Sequence, residues 1–106
     1  MYREMIAKFA PGQVIQHRGR DYRGVIVDVD PVFYGDGDIA AQAVGENEPL
    51  DRPWYHVLVN GHEYVTYVSE ASIEADDTGR PVTHPSLTLF FAGFEGDHYV
   101  PRRRTN

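Results

Sequence analysis

The chain has 106 residues, a mass of 12.0 kDa and a net charge of −6, which is enough for one hydrophobic core and leaves no room for a second. It has no cysteine, so disulfides, thiolate metal sites and a cysteine nucleophile are excluded. Neither a run of 18 apolar residues nor a secretory leader pattern occurs, so we expect a cytoplasmic protein that does not enter a membrane.

The first part of the sequence predicts two strands. The segment GQVIQHR at 12–18 follows a Pro-Gly turn, and RGRDY at 18–22 supplies the Gly and Asp of a tight connection. The clearest strand is RGVIVDVDP at 23–31, which Pro31 ends. Simple alternation would place three valines on one face and three other residues on the opposite face: Val25, Val27 and Val29 against Ile26, Asp28 and Asp30.

Residues 35–51 are rich in acidic residues and glycine and show no sustained hydrophobic period. A connection of this length is usually functional or mobile, and we expect a solvated surface loop in which IAAQAV could form a helical turn.

Residues 53–69 predict a hairpin that turns at Asn60-Gly61. A two-residue turn would mix apolar and polar side chains on both faces, whereas a three-residue loop, 60–62, separates them. We therefore predict the three-residue loop, because register follows the arrangement with one clean core face. The inner face would then hold Tyr55, Val57, Val59, Val65 and Tyr67. The outer face would present Trp54, His56 and Tyr64 as an amphipathic surface.

The C-terminal third predicts short helical segments. SEASIEA at 69–75 could form one helical turn that Ser69 or Ser72 caps. Four apolar residues with helical spacing predict a further helix, which Ser86 would cap and Gly96 would end: Leu87, Phe90, Phe91 and Phe94. Alternate residues from Leu87 to Phe91 also fit a strand. HYVP at 98–101 predicts a last edge strand.

Short strands, tight turns and one long connection indicate a mainly β fold, arranged as a small, strongly bent barrel with one or two short helical segments. We expect a single domain over 1–106, with the barrel core at about 8–75 and a C-terminal extension at 76–106.

Four sequence blocks carry a resemblance to a known family. They are KFAPGQVIQHR at 8–18, YRGVIVDVDP at 22–31, PWYHVLV at 53–59 and YVTYVSEASI at 64–73. Together they resemble the HspQ/YccV-like hemimethylated-DNA-binding family. The resemblance implies an SH3-like β-barrel, a cytoplasmic bacterial protein, binding to hemimethylated DNA and a link to the heat-shock stress response. It also implies an association with an ATP-dependent protease of the Lon type, and it supplies no catalytic residues.

Neither catalysis nor metal binding is predicted. The chain has no GxSxG elbow, P-loop, GxGxxG or HExxH motif. Asp28 and Asp30 could form an acid–base pair on one strand face, but carboxylates before a strand-ending proline more often cap a turn or lie in solvent. The histidines are scattered without ligand spacing, and GDGDI lacks the later acceptors of a calcium loop. We therefore predict a binding module without enzyme activity, metal or cofactor.

The charge is unevenly distributed, which bears on DNA binding. Residues 1–24 carry five bases and two acids, 25–79 one base and twelve acids, and 80–106 four bases and two acids. We assign phosphate contacts to basic residues of the first turn and the tail: His17, Arg18, Arg20, Arg23, Arg102, Arg103 and Arg104. Reading a methyl group needs an apolar contact in the major groove, which we assign to Trp54, His56 and Tyr64. The arginines 18, 20 and 23 should then share a face that is free of acidic side chains.

Protein binding is the alternative function. Three aromatic residues beside the acidic loop could form a peptide groove: Trp54, Tyr64 and Tyr34 against Asp36, Asp38, Glu46 and Glu48. Such a groove would suit an adaptor or allosteric modulator of a Lon-type protease and its substrates. Open strand edges and the Phe-rich stretch 90–94 also allow a homo-oligomer.

Overall fold

The computed structural model describes residues 6–34 and 50–102, and within them the fold is mainly β, as predicted. The strands are β1 (Val14–His17), β2 (Arg23–Asp30), β3 (Trp54–Val59), β4 (Val65–Ser69), β5 (Ile73–Ala75), β6 (Phe91–Glu95) and β7 (His98–Pro101). A 3₁₀ turn (Glu70–Ser72) and one short helix, α1 (Leu87–Phe90), complete the elements. The described residues contain no helix long and apolar enough to cross a membrane. Most of the predicted acidic loop, residues 35–49, lies outside the described residues.

Five antiparallel strands form the main sheet in the order β4-β3-β2-β1-β5. The turn predicted over 69–75 is present but shorter: the 3₁₀ segment Glu70–Ser72, without a side-chain capping hydrogen bond from Ser69, carries the chain from one edge of the sheet to β5 at the other. No pairing among the described residues joins β4 to β5. The sheet is therefore open at both edges, and the pairing does not form the closed barrel that the sequence analysis predicted.

A bulge in β2 changes which side chains share a face. Val25 pairs with Leu58 before the irregularity, and Asp28 pairs with His56 after it. The extra residue at Val27 thus puts positions 25 and 28 on the same side of the sheet, which simple alternation cannot do. The predicted alternation is wrong beyond Val27, and both aspartates of β2 turn toward the face that carries His56.

The β3–β4 hairpin turns over four residues, 60–63, and not over the predicted three. Pairing runs from Trp54 opposite Ser69 to Leu58 opposite Val65. The shift of one residue moves every β4 side chain to the other face. The prediction assumed that one face of the hairpin is polar, but five of the six residues of β3 are buried. Because both faces of β3 are mainly apolar, sorting polar from apolar side chains could not indicate the register of the β3–β4 hairpin.

Both faces of the sheet are covered, so the core has two clusters. One cluster consists of Ile15, Ile26, Tyr55, Val57 and Ile73. The other consists of Val14, Val25 and Leu58 together with Val82, Phe91 and Tyr99 from the C-terminal segment. Neighbouring residues of β1, β2 and β3 fall into different clusters because successive side chains of a strand point to opposite faces.

The C-terminal hairpin differs from the predicted helix. Helix α1 ends at Phe90, which is 41% exposed, and β6 begins at Phe91, which is buried against the sheet. Ser86 makes no side-chain capping hydrogen bond. Residues 98–101 do form the predicted strand, but β7 pairs with β6 in a separate two-stranded sheet.

Gly12 joins this hairpin to the main sheet. Its N–H donates to the carbonyl of Ile26 at 2.8 Å, and its own carbonyl accepts the N–H of Tyr99 at 2.7 Å. The φ of Gly12 is 97°, and a Cβ here would overlap the backbone carbonyl of Tyr99. Only glycine combines that φ with so close an approach of two backbone segments.

Candidate functional site

The turn between β1 and β2 is organised by His17. Its Nδ1 accepts the backbone N–H groups of Gly19 at 3.1 Å and Arg20 at 2.9 Å. His17 therefore positions the turn that presents Arg18 and Arg20 to solvent.

Arg18 and Arg20 are both exposed. The Nε–H of Arg18 donates to the carbonyl of Ile73 at 3.2 Å, which fixes the stem of the side chain. Its guanidinium lies 3.8 Å from Glu74, and the two side chains are 59% and 46% exposed. A pair so exposed contributes little, so Arg18 can exchange Glu74 for another anion. Arg20 makes no ion pair within the described residues.

A groove of about 240 Å³ lies beside this turn. Three of its lining residues are cations from separate segments, Lys8, Arg18 and Arg52, and its other lining residues are Phe9, Glu70, Ala71 and Ile73. Arg52 was not predicted, because it is the one base in the acidic segment 25–79. Lys8 was not predicted either, because its proximity to Arg18 depends on the fold. We call this the basic groove.

Glu70 is the one acidic residue among the described residues that lines the basic groove, and its carboxylate makes hydrogen bonds within the protein. Its Oε2 accepts the backbone N–H of Lys8 at 2.9 Å and the hydroxyl of Tyr55 at 2.7 Å. The same hydroxyl accepts the N–H of Phe9 at 3.2 Å. These bonds hold the segment that carries Lys8 against the 3₁₀ turn. They also provide Glu70 Oε2 with two hydrogen-bond donors from the protein itself.

Arg23, which the sequence predicts as a DNA contact, is mostly buried in an ion pair with Asp76. Its Nε and NH2 groups each lie 3.0 Å from an oxygen of Asp76, in a bidentate pair. The two side chains are only 17% and 1% exposed. Burial favours a higher pKa for Asp76, but hydrogen bonds from Arg23 and Thr78 outweigh it and lower that pKa. Arg23 is thus committed to holding the segment after β5.

Trp54 is buried and does not lie on the predicted surface. Its side chain is 1% exposed and lies 5.2 Å from the ring of Tyr67. Tyr64 is 55% exposed and stacks on His62 at 4.8 Å. The observed register places Tyr64 opposite Val59, on the face away from Trp54 and His56. The predicted amphipathic surface of three residues therefore does not form.

His56 instead lies with the two aspartates of β2. Its Nε2 is 3.1 Å from Asp30 Oδ2, which also accepts the hydroxyl of Tyr67 at 2.7 Å. One ligand atom from each of Asp28, Asp30 and His56 lies within 4.8 Å of the others. The sequence did not predict that His56 lies with these aspartates, because the β2 bulge turns Asp28 toward it. None of the three residues lines the basic groove.

The chain was compared with models of known protein families and with solved structures. The family model described as YccV-like, hemimethylated DNA-binding protein, matches residues 7–98. The chain belongs to the YccV-like family. No solved structure matches it. The matched region extends beyond the blocks that end at 73, so the family domain includes β6 and the segment that packs on the sheet.

The YccV-like domain only partly meets the expected separation of charge. Acidic side chains lie beside two of the three arginines, because Glu74 approaches Arg18 and Asp76 binds Arg23. Of the acidic loop, residues 35–49 lie outside the described residues. Of these three arginines, Arg18 keeps only an exposed acidic neighbour and Arg20 makes no ion pair within the described residues.

Tyr55 predicts an alkaline limit to the stability of the domain. Burial, and then its hydrogen bond to Glu70, raise the pKa of Tyr55 well above the ordinary 10.0. Above pH 10 an unfolded chain loses this proton while the folded chain keeps it, so the free energy of unfolding falls with rising pH. Below pH 10 the contribution is fully present. Urea titrations from pH 8 to 12 should show a decline that is shallower in Tyr55→Phe, and equal slopes would contradict the assignment.

Proposed function

We propose that this YccV-like domain binds hemimethylated DNA through the basic groove and Arg20. The observation that carries the proposal is the convergence of Lys8, Arg18 and Arg52 on one groove that also has apolar lining residues. Cations from three separate segments meet there although the chain as a whole is acidic.

The cations of the groove suit the DNA backbone. Lysine and arginine contacts to phosphates supply most of the affinity of such complexes and make it depend on salt. The pair between Arg18 and Glu74 is exposed and 3.8 Å long, so a phosphate can replace the carboxylate at little cost. Arg20 extends the positive surface along the β1–β2 turn.

The apolar wall of the groove suits a methyl group. Phe9 packs edge-on against Tyr55 with the ring centroids 5.7 Å apart, and Ala71 is exposed beside it. We assign the methyl contact to Phe9 and Ala71, in place of the predicted surface of Trp54, His56 and Tyr64. One apolar contact to a base methyl contributes roughly 1 kcal/mol, which corresponds to about a fivefold preference.

Arg18→Ala, Arg20→Ala and Arg52→Ala are each expected to weaken binding to methylated, hemimethylated and unmethylated duplexes alike. Each variant should also reduce the slope of log affinity against log salt by about 1, because one phosphate contact is lost. Fluorescence anisotropy titrations with the three duplexes across a salt series measure both quantities. Arg80→Ala, an exposed cation outside the groove, is the matched control.

Two outcomes would overturn this assignment. Salt slopes that stay at the wild-type value in all three variants, or fall equally in Arg80→Ala, would remove the groove from the DNA site. A wild-type protein that binds the three duplexes equally would refute the methyl contact.

The strand order supports an SH3-like barrel as the finer description of the fold. The 3₁₀ turn between β4 and β5 is three residues long, and β5 returns to pair with β1. So short a link between the two edge strands requires a strongly bent sheet. We also propose that residues 1–106 form a single domain, because residues 82, 91 and 99 share a core cluster with β1, β2 and β3.

An adaptor function for a Lon-type protease in the heat-shock response is the second candidate. Exposed apolar side chains favour it: Tyr64 and Val65 near an open sheet edge, and Leu89 and Phe90 in α1. Exposed apolar surface of this kind serves protein contacts or self-association. The predicted peptide groove lacks Trp54, which is buried, and its four acids lie outside the described residues. Measurable affinity for the protease, together with weak DNA binding that does not depend on methylation, would favour this function. We propose a cytoplasmic location for both candidate functions.

A further inference from the structure

We propose that Asp28, Asp30 and His56 form a binding site for one divalent transition-metal ion, with Zn²⁺ as the ion that best suits the donors. The site is separate from the basic groove and does not depend on DNA binding.

The donor atoms are already close to coordination spacing. Asp30 Oδ2 and His56 Nε2 are 3.1 Å apart, and all three donors lie within 4.8 Å of one another. Two ligands of a tetrahedral zinc ion, at bond lengths of about 2.1 Å, are separated by roughly 3.4 Å. Asp28 is exposed, so rotation of its side chain can close the remaining gap.

Groups outside the three ligands orient both carboxylates. The hydroxyl of Tyr67 donates to Asp30 at 2.7 Å, and the N–H of Val29 donates to Asp28 Oδ1 at 2.9 Å. Hydrogen bonds of this kind are the usual support for metal-binding carboxylates. The bond to Asp28 holds Oδ1 and leaves its other oxygen to coordinate, whereas Asp30 Oδ2 accepts the Tyr67 hydroxyl and uses its second lone pair toward the ion. The β2 bulge brings Asp28 to the face of His56, where an unbroken strand would have turned it away.

The charge of the cluster also favours a cation. Within the described residues no lysine or arginine pairs with Asp28 or Asp30, and the one ion-pair partner of Asp30 is His56. Two carboxylates and a neutral imidazole balance a charge of +2. An imidazole among the donors suits zinc and similar transition ions, whereas Mg²⁺ and Ca²⁺ prefer oxygen alone. The side chains of His56 and Asp30 are 37% and 24% exposed, so an ion can reach them from solvent.

Calorimetric titration of the full chain with ZnCl₂ tests the proposal. We expect one equivalent of Zn²⁺ to bind, with much weaker binding of Mg²⁺. His56→Ala and Asp28→Asn should each reduce the zinc affinity more than tenfold, because each removes a ligand. His98→Ala is the matched control, since His98 lies 3.4 Å from Asp97 in an exposed pair that belongs to no group of three donors within the described residues.

A second readout separates loss of the site from loss of the fold. Asp28 is exposed, so Asp28→Asn should keep the wild-type circular dichroism spectrum while losing the rise in Tm that Zn²⁺ gives the wild type. Unchanged zinc affinity in both Asp28→Asn and His56→Ala would place the ion elsewhere and overturn the proposal. Absence of zinc binding to the wild type would do the same, as would an equal loss in His98→Ala.

Discussion

Arg23→Ala is expected to lower the free energy of unfolding by about 3 kcal/mol, because it leaves the buried carboxylate of Asp76 without its cation. It also removes the donors that the Arg23 guanidinium offers to the carbonyls of Arg80 and Pro81. Urea unfolding at pH 7 measures the loss. Arg20→Ala, an arginine of the exposed neighbouring turn, is the control and should stay within about 0.5 kcal/mol of wild type.

The pair of Arg23 and Asp76 also makes the stability of the domain depend on pH in the acid range. The pKa of Asp76 is lowered below its ordinary 3.8 in the folded chain. Its contribution is therefore present above pH 3.8 and is lost as the pH falls through the lower, folded value. Arg23→Ala should lack this part of the acid dependence. A variant as stable as wild type at pH 7, or with the same acid profile, would show that Arg23 is free for another role.

Trp54→Ala is expected to destabilise the domain by about 3–5 kcal/mol, since it empties the space of a side chain that is 1% exposed. The chain has one tryptophan, so its fluorescence reports on this site alone. Emission should be that of a buried indole, with little quenching by acrylamide, and should shift to the red on unfolding. Tyr64→Ala, which truncates an aromatic side chain that is 55% exposed, should change stability by less than about 0.5 kcal/mol.

Three other outcomes would show that Trp54 lies on the surface, as the sequence predicted. Strong quenching in the folded state, or a destabilisation no larger than that of Tyr64→Ala, would contradict the buried position. A DNA-binding defect in Trp54→Ala that persists in the folded fraction would contradict it as well.

The candidate site could be only half predicted from the sequence. Arg18 and Arg20 were identified because a glycine between two bases in a strand-to-strand turn exposes both. Lys8 and Arg52 were not, because they reach the groove through contacts between distant segments, such as the hydrogen bond from Lys8 to Glu70, 62 residues away. The cluster of His56 with Asp28 depends on a bulge that the run of valines does not reveal.

By itself the sequence determined the family, the mainly β class, the strands β1 to β3 and the turn after β4. These follow from local composition, because β-branched runs bounded by turn residues favour extended chain wherever it packs. The tertiary structure alone decided the hairpin register, the end of helix α1 at Phe90 and the partner of Arg23, 53 residues away. The physical reason is burial on both faces of the sheet. Once β3 is covered on either side, the contrast between polar and apolar positions no longer indicates which face a residue occupies.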